Sequence, residues 1–276
     1  MSQIKAADVA KLRKMTGAGM MDCKNALSET NGDFDEAIDL LRKKGQKLAS
    51  KRADREASEG AVLASATADN TYAAIIALNC ETDFVAKNDD FVKFAQSILD
   101  IAIENKPADL DALKALEING KKIEEEIINQ IGVIGEKLEL SYFESVSGGY
   151  VSSYIHPGNM LSTIAAFNKG GFDAQVGKDI VMQIAAMNPI AIDKGDVSDK
   201  VIAKEIEIGK EQAIQEGKPA DLAEKISKGR LNKFFKENTL LNQQFVKDNK
   251  LTIKDYLVKT DKDLTVISFK RFTLNV

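Results

Sequence analysis

The sequence predicts an α+β protein with three parts. Short apolar stripes at helical spacing, separated by glycine-containing turns, fill the first 45 residues and predict a three-helix module. From Gly60 a strand–turn–strand–helix pattern occurs twice, which predicts a pseudo-duplicated core of antiparallel β-hairpins packed with helices. Two long charged helical segments follow the second copy and predict an inserted antiparallel helical hairpin. The predicted domains are therefore residues 1–50, 58–147 and 148–276, with the insertion at about 190–238.

In the N-terminal module, each predicted helix has an apolar stripe and a stop signal. Gly17 and Gly19 end the first helix, and Asn31-Gly32 ends the second. Asp33, with Glu36 three residues on, has the spacing of a capping box, and Gly45 is predicted to end the third helix. The stripes are Val9, Leu12 and Met15, then Met20, Cys23 and Leu27, then Phe34, Ala37, Ile38 and Leu41. A 45-residue module has a thin core, so we expect modest stability.

Residues 45–60 are charged and poor in large apolar side chains, which predicts a linker or a solvent-exposed helix. Their basic residues are interpreted as a solvated face: Lys47, Lys51, Arg52 and Arg55.

The first core unit consists of two β-like runs around Asp69-Asn70, a connection, and an amphipathic helix containing Phe91 and Ile98. The second unit repeats this order around Pro157-Gly158-Asn159 and ends in a helix containing Ile180. A hairpin with one helix cannot bury both faces of its strands alone, so we expect the two units to pack together. Alternating strands over 137–146 and 263–274 complete the pattern.

The helical hairpin is predicted over Asp199–Gln215 and Asp221–Glu237, joined at Gly217-Lys218-Pro219. Its narrow apolar seam indicates a protruding arm. Two roles remain open for this arm. It contacts a partner or a second copy of the chain, or its apolar residues serve only to hold the two helices together.

Composition excludes several function classes. The 276 residues are 44% hydrophobic and 29% charged, which is typical of a globular protein, and no apolar run reaches membrane-spanning length. The first residues lack the apolar segment of a signal peptide, so we expect a cytoplasmic protein. One histidine and two separated cysteines provide no recognisable metal site, and we expect neither metal nor cofactor.

The charge distribution gives little support to nucleic-acid binding. Residues 1–55 carry 12 Lys or Arg against 8 Asp or Glu, while the whole chain has a net charge of −4. Tryptophan is absent and aromatic residues are only 6%, which argues against base-stacking surfaces. We expect no direct nucleic-acid partner and no membrane partner.

The connection NCETDFVAKN (79–88) is the strongest candidate for a functional site. It places Phe84 between a strand and a helix that begins near Asn88. Two placements remain open for this aromatic ring. It either folds back as a lid on its own core, or it projects and enters another protein.

Catalytic motifs are missing from the sequence: it has no P-loop, GxGxxG, HExxH or GxSxG pattern. A thiol–base pair of Cys80 and His156 is the one enzymatic hypothesis. Cysteine at the end of a β run is more often a small buried hydrophobe, and His156 beside Pro157-Gly158 is a turn residue or a surface contact. The residues therefore favour a binding or regulatory protein over an enzyme.

Four segments, in order, resemble the bacterial elongation factor Ts family, in its long form with a coiled-coil hairpin. They are LRKMTGAGMMDCKNAL with NGDFDEAIDLLRKKG (12–45), NCETDFVAKN (79–88), SYIHPGNM (153–160) and GKPADLAEKISKGRLNKFFKE (217–237). The resemblance covers nearly the whole chain and implies that residues 1–50 form a ubiquitin-associated-like (UBA-like) domain. It departs from the family pattern at Met160, Leu161 and Ser162, where Arg, Ile and Gly are more typical.

The resemblance also implies a function: guanine-nucleotide exchange on elongation factor Tu by displacement of Mg²⁺, without covalent chemistry. A non-catalytic scaffold or chaperone-like binding module is the alternative, and a homodimer or two-plus-two complex is left open. The implied contact residues are Thr82, Asp83, Phe84 and Val85 at the Mg²⁺-displacing segment, Leu12, Arg13, Met20 and Met21 in the N-terminal module, and His156 in the second core unit.

Overall fold

The computed structural model describes residues 4–274, and the elements below are those of this range. The helices are α1 Ala6–Thr16, α2 Met20–Glu29, α3 Phe34–Arg52, α4 Asp83–Ala86, α5 Asp89–Asn105, α6 Leu110–Ala115, α7 Ile123–Ile134, α8 Ala174–Met187, α9 Asp199–Gln215, α10 Ala220–Asn238 and α11 Ile253–Thr260. The strands are β1 Glu59–Ala66, β2 Tyr72–Cys80, β3 Glu117–Ile118, β4 Lys121–Lys122, β5 Leu138–Ser147, β6 Tyr150–Ile155, β7 Leu161–Phe167, β8 Gln244–Phe245, β9 Asp248–Thr252 and β10 Val266–Thr273.

The core is duplicated, as the sequence predicts. Strands β1, β2 and β5 form one antiparallel sheet, and β6, β7 and β10 form a second sheet of equivalent order. In each sheet the central strand pairs with its hairpin partner on one side and with a strand from later in the unit on the other. We call these the first and second sheets.

The two sheets pack face to face, with helices on both outer surfaces. Small and β-branched side chains fill the space between the sheets: Val62, Ala64, Ala73, Ile75, Ala77, Val146, Val151, Ile164 and Ala166. Helix α5 covers the outer face of the first sheet with Phe91, Ala95 and Ile98, and α8 covers the second with Val176 and Ile180. Central strand β2 is buried along its whole length because both of its faces are covered.

Helices α1 to α3 form the N-terminal module around a core that includes Leu12, Cys23 and Leu27. Gly17 closes α1 in the left-handed conformation (φ 70°), and Asp33 caps α3 by accepting a hydrogen bond from the Glu36 N–H. The predicted stripes are wrong at Met15 and Met20, which are exposed.

Helix α3 does not end at Gly45, as predicted, but continues to Arg52. Gly45 is buried where α3 crosses α7, opposite Gly132, and a Cβ added to Gly132 would lie 2.9 Å from the Cα of Gly45. The two glycines allow a close helix crossing, so this glycine serves tertiary packing and not termination. Leu48 packs on the first-sheet core beyond the crossing. The N-terminal module is thus docked on the core by its own last helix.

Helices α9 and α10 form the predicted antiparallel arm, whose base is closed by a bridge between Ala191 and Thr239. The seam is built from small residues that are buried: Gly209, Ala213, Ala223 and Ser227. The apolar residues Ile214 and Leu222 of these helices lie outside the seam, since both are exposed near the tip. Small side chains permit the close helix approach here, and the larger ones are left outside.

Candidate protein-docking site

The connection after β2 is a short helical turn rather than an open loop. Thr82 is the N-cap of α4, with its hydroxyl accepting from the Val85 N–H, and Asn88 caps α5. On this turn the Phe84 side chain is 83% exposed, the largest value among the exposed large hydrophobic side chains. The ring therefore projects from its own fold, and the alternative in which it forms a lid on the core is wrong.

The neighbours of Phe84 point inward. The Thr82 N–H donates to Glu136 Oε2 at 3.0 Å, and the Thr82 hydroxyl donates to Glu136 Oε1 at 2.7 Å. Val85 is half-buried and packs against the first-sheet core. Both residues are predicted to contact a partner; in the free chain they anchor the turn, and both remain partly exposed. A helical turn places consecutive residues on different faces, so only part of this segment can face outward.

Asp83 lies beside Phe84 and is paired with Lys87 one turn later, at 2.6 Å. The hydrogen bond and the charge of Lys87 hold the pKa of the Asp83 carboxyl below its usual value. The outer surface of α4 thus presents an apolar ring beside a compact ion pair.

Glu81, directly before this turn, is a largely buried acceptor that could not be predicted from the sequence. Its side chain is 12% exposed and accepts from Arg52 at 2.6 Å, from Arg55 at 3.2 Å, and from the Lys137 N–H at 2.6 Å. Burial raises its pKa, but the hydrogen bonds from Lys137, Arg52 and Arg55 outweigh burial and leave the pKa lowered. The interpretation of Arg52 and Arg55 as merely solvated is therefore wrong.

The N-terminal module presents a second exposed apolar surface at the turn between α1 and α2. Met20 is 58% exposed and Met21 62%. Met15, in the last turn of α1, was predicted to lie in the core and is also exposed. Arg13 is exposed as well. Leu12, predicted as a contact residue, is fully buried in the module core and offers no surface. Methionine side chains are flexible and polarizable, which suits an adaptable contact.

Cys80 and His156, the two residues of the enzymatic hypothesis, each have a different hydrogen-bond partner. Cys80 is buried, and its thiol donates to the Thr82 carbonyl at 3.2 Å. Burial, and next the charge of Glu136, raise the pKa of Cys80 to about 12, which disfavours the nucleophilic thiolate. His156 is exposed on the β6–β7 turn, with its Nδ1 2.9 Å from the Tyr154 hydroxyl. The structure gives no support to a thiol–base pair.

The family of this chain is shown by its similarity to known proteins. The sequence model of the family described as "Elongation factor TS" matches residues 81–276. A protein named elongation factor Ts from Porphyromonas gingivalis (strain ATCC 33277) is 55% identical over 269 residues, which cover 97% of each chain. The chain belongs to the elongation factor Ts family.

Other relatives agree along the same length. The protein of that name from Amoebophilus asiaticus is 54% identical over 270 residues, covering 97% of this chain and 98% of its own. That from Christiangramia forsetii is 50% identical over 275 residues, covering 99% and 100%. Membership of the elongation factor Ts family places the chain in translation elongation.

Within residues 4–274, no cluster of His, Cys, Asp and Glu has the arrangement of a metal site. Nor does any helix of the range combine the length and the apolarity that a membrane crossing requires.

Proposed function

We propose that this chain is a guanine-nucleotide exchange factor for elongation factor Tu. It binds the GDP-bound GTPase, disturbs the Mg²⁺ site there and promotes GDP release, with no covalent step of its own. The observation that carries the proposal is the Phe84 ring, 83% exposed on a turn that is anchored from behind by Glu136. A large apolar side chain held rigidly outside its own core is suited to insert into another protein.

The chemistry of Mg²⁺ explains how insertion can release a nucleotide. Mg²⁺ demands near-ideal octahedral oxygen geometry at about 2.0–2.1 Å and usually shares its ligands with nucleotide phosphates. A wedge that displaces neighbouring elements of the GTPase by about half an ångström spoils those distances without replacing any ligand. The metal is then held less tightly, and the nucleotide loses the charge neutralisation that it provided.

Energies indicate that Phe84 cannot act alone. Accelerating release by three or four decades requires roughly 4–5.5 kcal/mol. Burying one Phe provides about 1.5–3 kcal/mol. The remainder must come from further contacts, for which we propose Arg13, Met20 and Met21 of the N-terminal module, Asp83 beside the ring, and His156 as a minor contact of the second core unit.

Linkage adds a thermodynamic requirement. If this factor weakens nucleotide binding to the GTPase, then nucleotide must weaken binding of the factor by the same ratio. Tightest binding is therefore expected to the nucleotide-free GTPase.

The test is the release of labelled GDP from purified elongation factor Tu with catalytic amounts of this chain. We expect Phe84→Ala to slow release at saturating factor by about tenfold or more, equivalent to at least about 1.4 kcal/mol. Met20→Ala with Met21→Ala should mainly raise the factor concentration needed for half-maximal release. Val258→Ala, which removes an exposed apolar side chain on α11, is the matched control. An unchanged rate for Phe84→Ala would remove this residue from the mechanism.

The exposed Ile214 and Leu222 at the tip of the arm favour a second candidate, a non-catalytic scaffold or chaperone-like binder. Tight binding to the GTPase without any acceleration of GDP release would support it over exchange. Light scattering of the factor alone and with the GTPase distinguishes a monomer, a homodimer and a two-plus-two complex.

A further inference from the structure

Three segments that are distant in sequence meet directly behind the Phe84 turn. The first is the end of α3 with residues 52–55, the second is Glu81 with Thr82, and the third is the loop from α7 to β5, Glu136 with Lys137. Glu136 accepts both hydrogen bonds that Thr82 can donate, at 3.0 Å from N–H and 2.7 Å from the hydroxyl. We call this meeting point the Glu81–Glu136 junction.

Hydrogen bonds connect every pair of the three segments at the junction. Glu81 accepts from Arg52 and Arg55 of the first segment and from the Lys137 N–H of the third. The Lys137 ammonium in turn donates to the carbonyls of Ala53 at 2.9 Å and Arg55 at 3.0 Å. Each segment is thus tied to both of the others by charge-assisted hydrogen bonds, the strongest class available to side chains.

We propose that Glu136 is a positioning residue for nucleotide exchange: it fixes the direction in which Phe84 leaves the core, while Glu81 ties that turn to the N-terminal module. The proposal rests on the exchange function proposed above. Glu136 acts through Thr82 and has no need to touch the GTPase.

The geometry supports positioning more than simple stabilisation. Thr82 is the N-cap of α4, a helix of only 4 residues that is too short to hold its own orientation. Val85 packs on the core at the other end of this turn, so Glu136 and Val85 hold it from two sides. With Glu136 removed, Thr82 loses the acceptor of its N–H and its hydroxyl. The turn is then held by the Glu81 contacts before it, the Cys80 thiol and the packing of Val85, and the exposed ring samples more directions.

The junction also connects the elements that carry the two exposed apolar surfaces. The α3 helix that carries Arg52 is the last helix of the module that presents Met20 and Met21. Its crossing with α7 at Gly45 and Gly132, and an ion pair between Arg42 and Glu125 at 2.9 Å, fix its course before it reaches Glu81. The two surfaces are thereby presented to a partner as one pre-organised unit, which lowers the entropy lost on binding.

A double-mutant cycle in the GDP-release assay tests the role of Glu136. We expect Glu136→Ala to lower the release rate at saturating factor by about tenfold while changing the half-saturating concentration less than about threefold. The double variant Glu136→Ala/Phe84→Ala should be no slower than Phe84→Ala alone, because Glu136 acts through that ring. Additive effects, or an unchanged rate for Glu136→Ala, would overturn the proposal. Glu104→Ala, at an exposed glutamate on α5, is the matched control.

A second measurement needs no partner. The chain contains no tryptophan, so Phe84→Trp creates a single reporter at the site. Time-resolved fluorescence anisotropy of this variant should show a restricted indole, and addition of Glu136→Ala should increase its nanosecond motion, with Glu136→Gln between the two. Urea unfolding of each variant confirms that a folded chain is compared.

The two measurements separate the proposal from the function on which it rests. If Phe84→Ala leaves GDP release unchanged, the exchange mechanism fails, and the anisotropy still decides whether Glu136 orients position 84. If the motion of the indole is the same with and without Glu136, the positioning role fails whatever the exchange assay shows.

Discussion

Glu81 illustrates how this molecule accommodates a carboxylate that is largely removed from solvent. Removing a carboxylate from water is costly, and three donors satisfy it here: two arginine side chains and the Lys137 N–H. Because these donors bind the ionised carboxylate more strongly than the neutral acid, and this outweighs the effect of burial, the pKa in the folded chain lies below that in the unfolded chain. Glu81 therefore makes folding stability depend on pH.

Protonation of Glu81 at low pH removes its contribution to folding stability. A carboxyl whose pKa is lowered on folding contributes stability above its unfolded pKa, about 4.3 for glutamate, and loses this contribution as pH falls through the folded value. We expect Glu81→Gln to be less stable than the unmodified chain at pH 7, by about 1–3 kcal/mol, since Arg52, Arg55 and the Lys137 N–H lose their charged acceptor. The difference should shrink on acidification below about pH 4. Urea unfolding at both pH values measures it, and a difference that stays constant with pH would contradict the assignment.

The thiols provide a second prediction at this scale. Cys23 and Cys80 are both fully buried, and the pKa of Cys80 is raised to about 12. Thiol reagents attack the thiolate, so at pH 8 the folded chain should react far more slowly than the same chain in denaturant. A disulfide reagent that releases a coloured thiol counts the reactive groups. We expect two in denaturant and none within minutes in buffer, and rapid labelling of Cys80 in the folded chain would reopen the enzymatic hypothesis.

Residue types predicted the docking site only in part. Phe84 could be singled out because an aromatic side chain on a strand-to-helix connection has few intramolecular neighbours. The apolar stripes placed Leu12 and Met20 alike in the core, and this is correct only for Leu12, because a stripe gives the spacing of a helix and not which of its residues the neighbouring helices cover. Glu81 and Glu136 were missed because their donors come from residues 52–55 and from Thr82, contacts that only the tertiary fold creates.

At the scale of elements, glycine has opposite roles at two helical positions. Gly132 of α7 faces the backbone of α3, and an added Cβ would lie 2.9 Å from the Cα of Gly45. Gly229 of α10 has no atom within 4 Å of such a Cβ. The first glycine is needed for helix packing, whereas the second only lowers helix propensity.

These roles predict opposite effects of the same substitution. Gly229→Ala should stabilise the chain by about 0.5–1 kcal/mol, the difference in helix propensity. Gly132→Ala gains the same propensity but overpacks the crossing, at a cost of about 1–3 kcal/mol, so we expect net destabilisation. Thermal unfolding measures both. Limited proteolysis between α3 and β1 should also accelerate for Gly132→Ala, and stabilisation by this variant would contradict the importance of the crossing.

The ends of helices were predicted correctly where local residues terminate the helix, and wrongly where tertiary packing overrides a local stop signal. The bounds of α9 agree with the prediction, since Ser198 and the Gly217-Lys218-Pro219 turn define its ends locally. The end of α3 was predicted seven residues too early, because Gly45 has the local character of a helix stop and its packing partner, Gly132, lies 87 residues away in sequence.

For the whole molecule, the repeated pattern predicted the duplicated core, and the structure shows two sheets of equivalent order. Their face-to-face packing followed from the need of each hairpin to bury its second face. Which outer surfaces would remain free could not be predicted, because it depends on where the module and the arm attach. The duplication also provides an internal comparison, since each unit carries one phenylalanine on the connection from its second strand to its helix.

The two units use this phenylalanine differently. Phe172, on the connection from β7 to α8, is half-buried, with its ring centroid 4.9 Å from that of Tyr150 and 5.1 Å from that of Phe167. Within residues 4–274 no aromatic cluster surrounds Phe84, which projects from the first unit. The same residue type at corresponding places therefore contributes to the core in one copy and to a free surface in the other.

This contrast predicts that alanine at position 172 lowers stability but not activity, whereas alanine at position 84 lowers activity but not stability. Phe172→Ala should lower the free energy of unfolding by about 2–4 kcal/mol, since it removes a packed ring, and should leave GDP release near normal when the chain is folded. Phe84→Ala should change the free energy of unfolding by less than about 0.5 kcal/mol, as expected for an exposed side chain, and should slow GDP release. Urea unfolding and the GDP-release assay on both variants give the four values required. If Phe84→Ala destabilised the chain as much as Phe172→Ala, its ring would belong to the core in solution, and a slower release could be attributed to loss of folded protein.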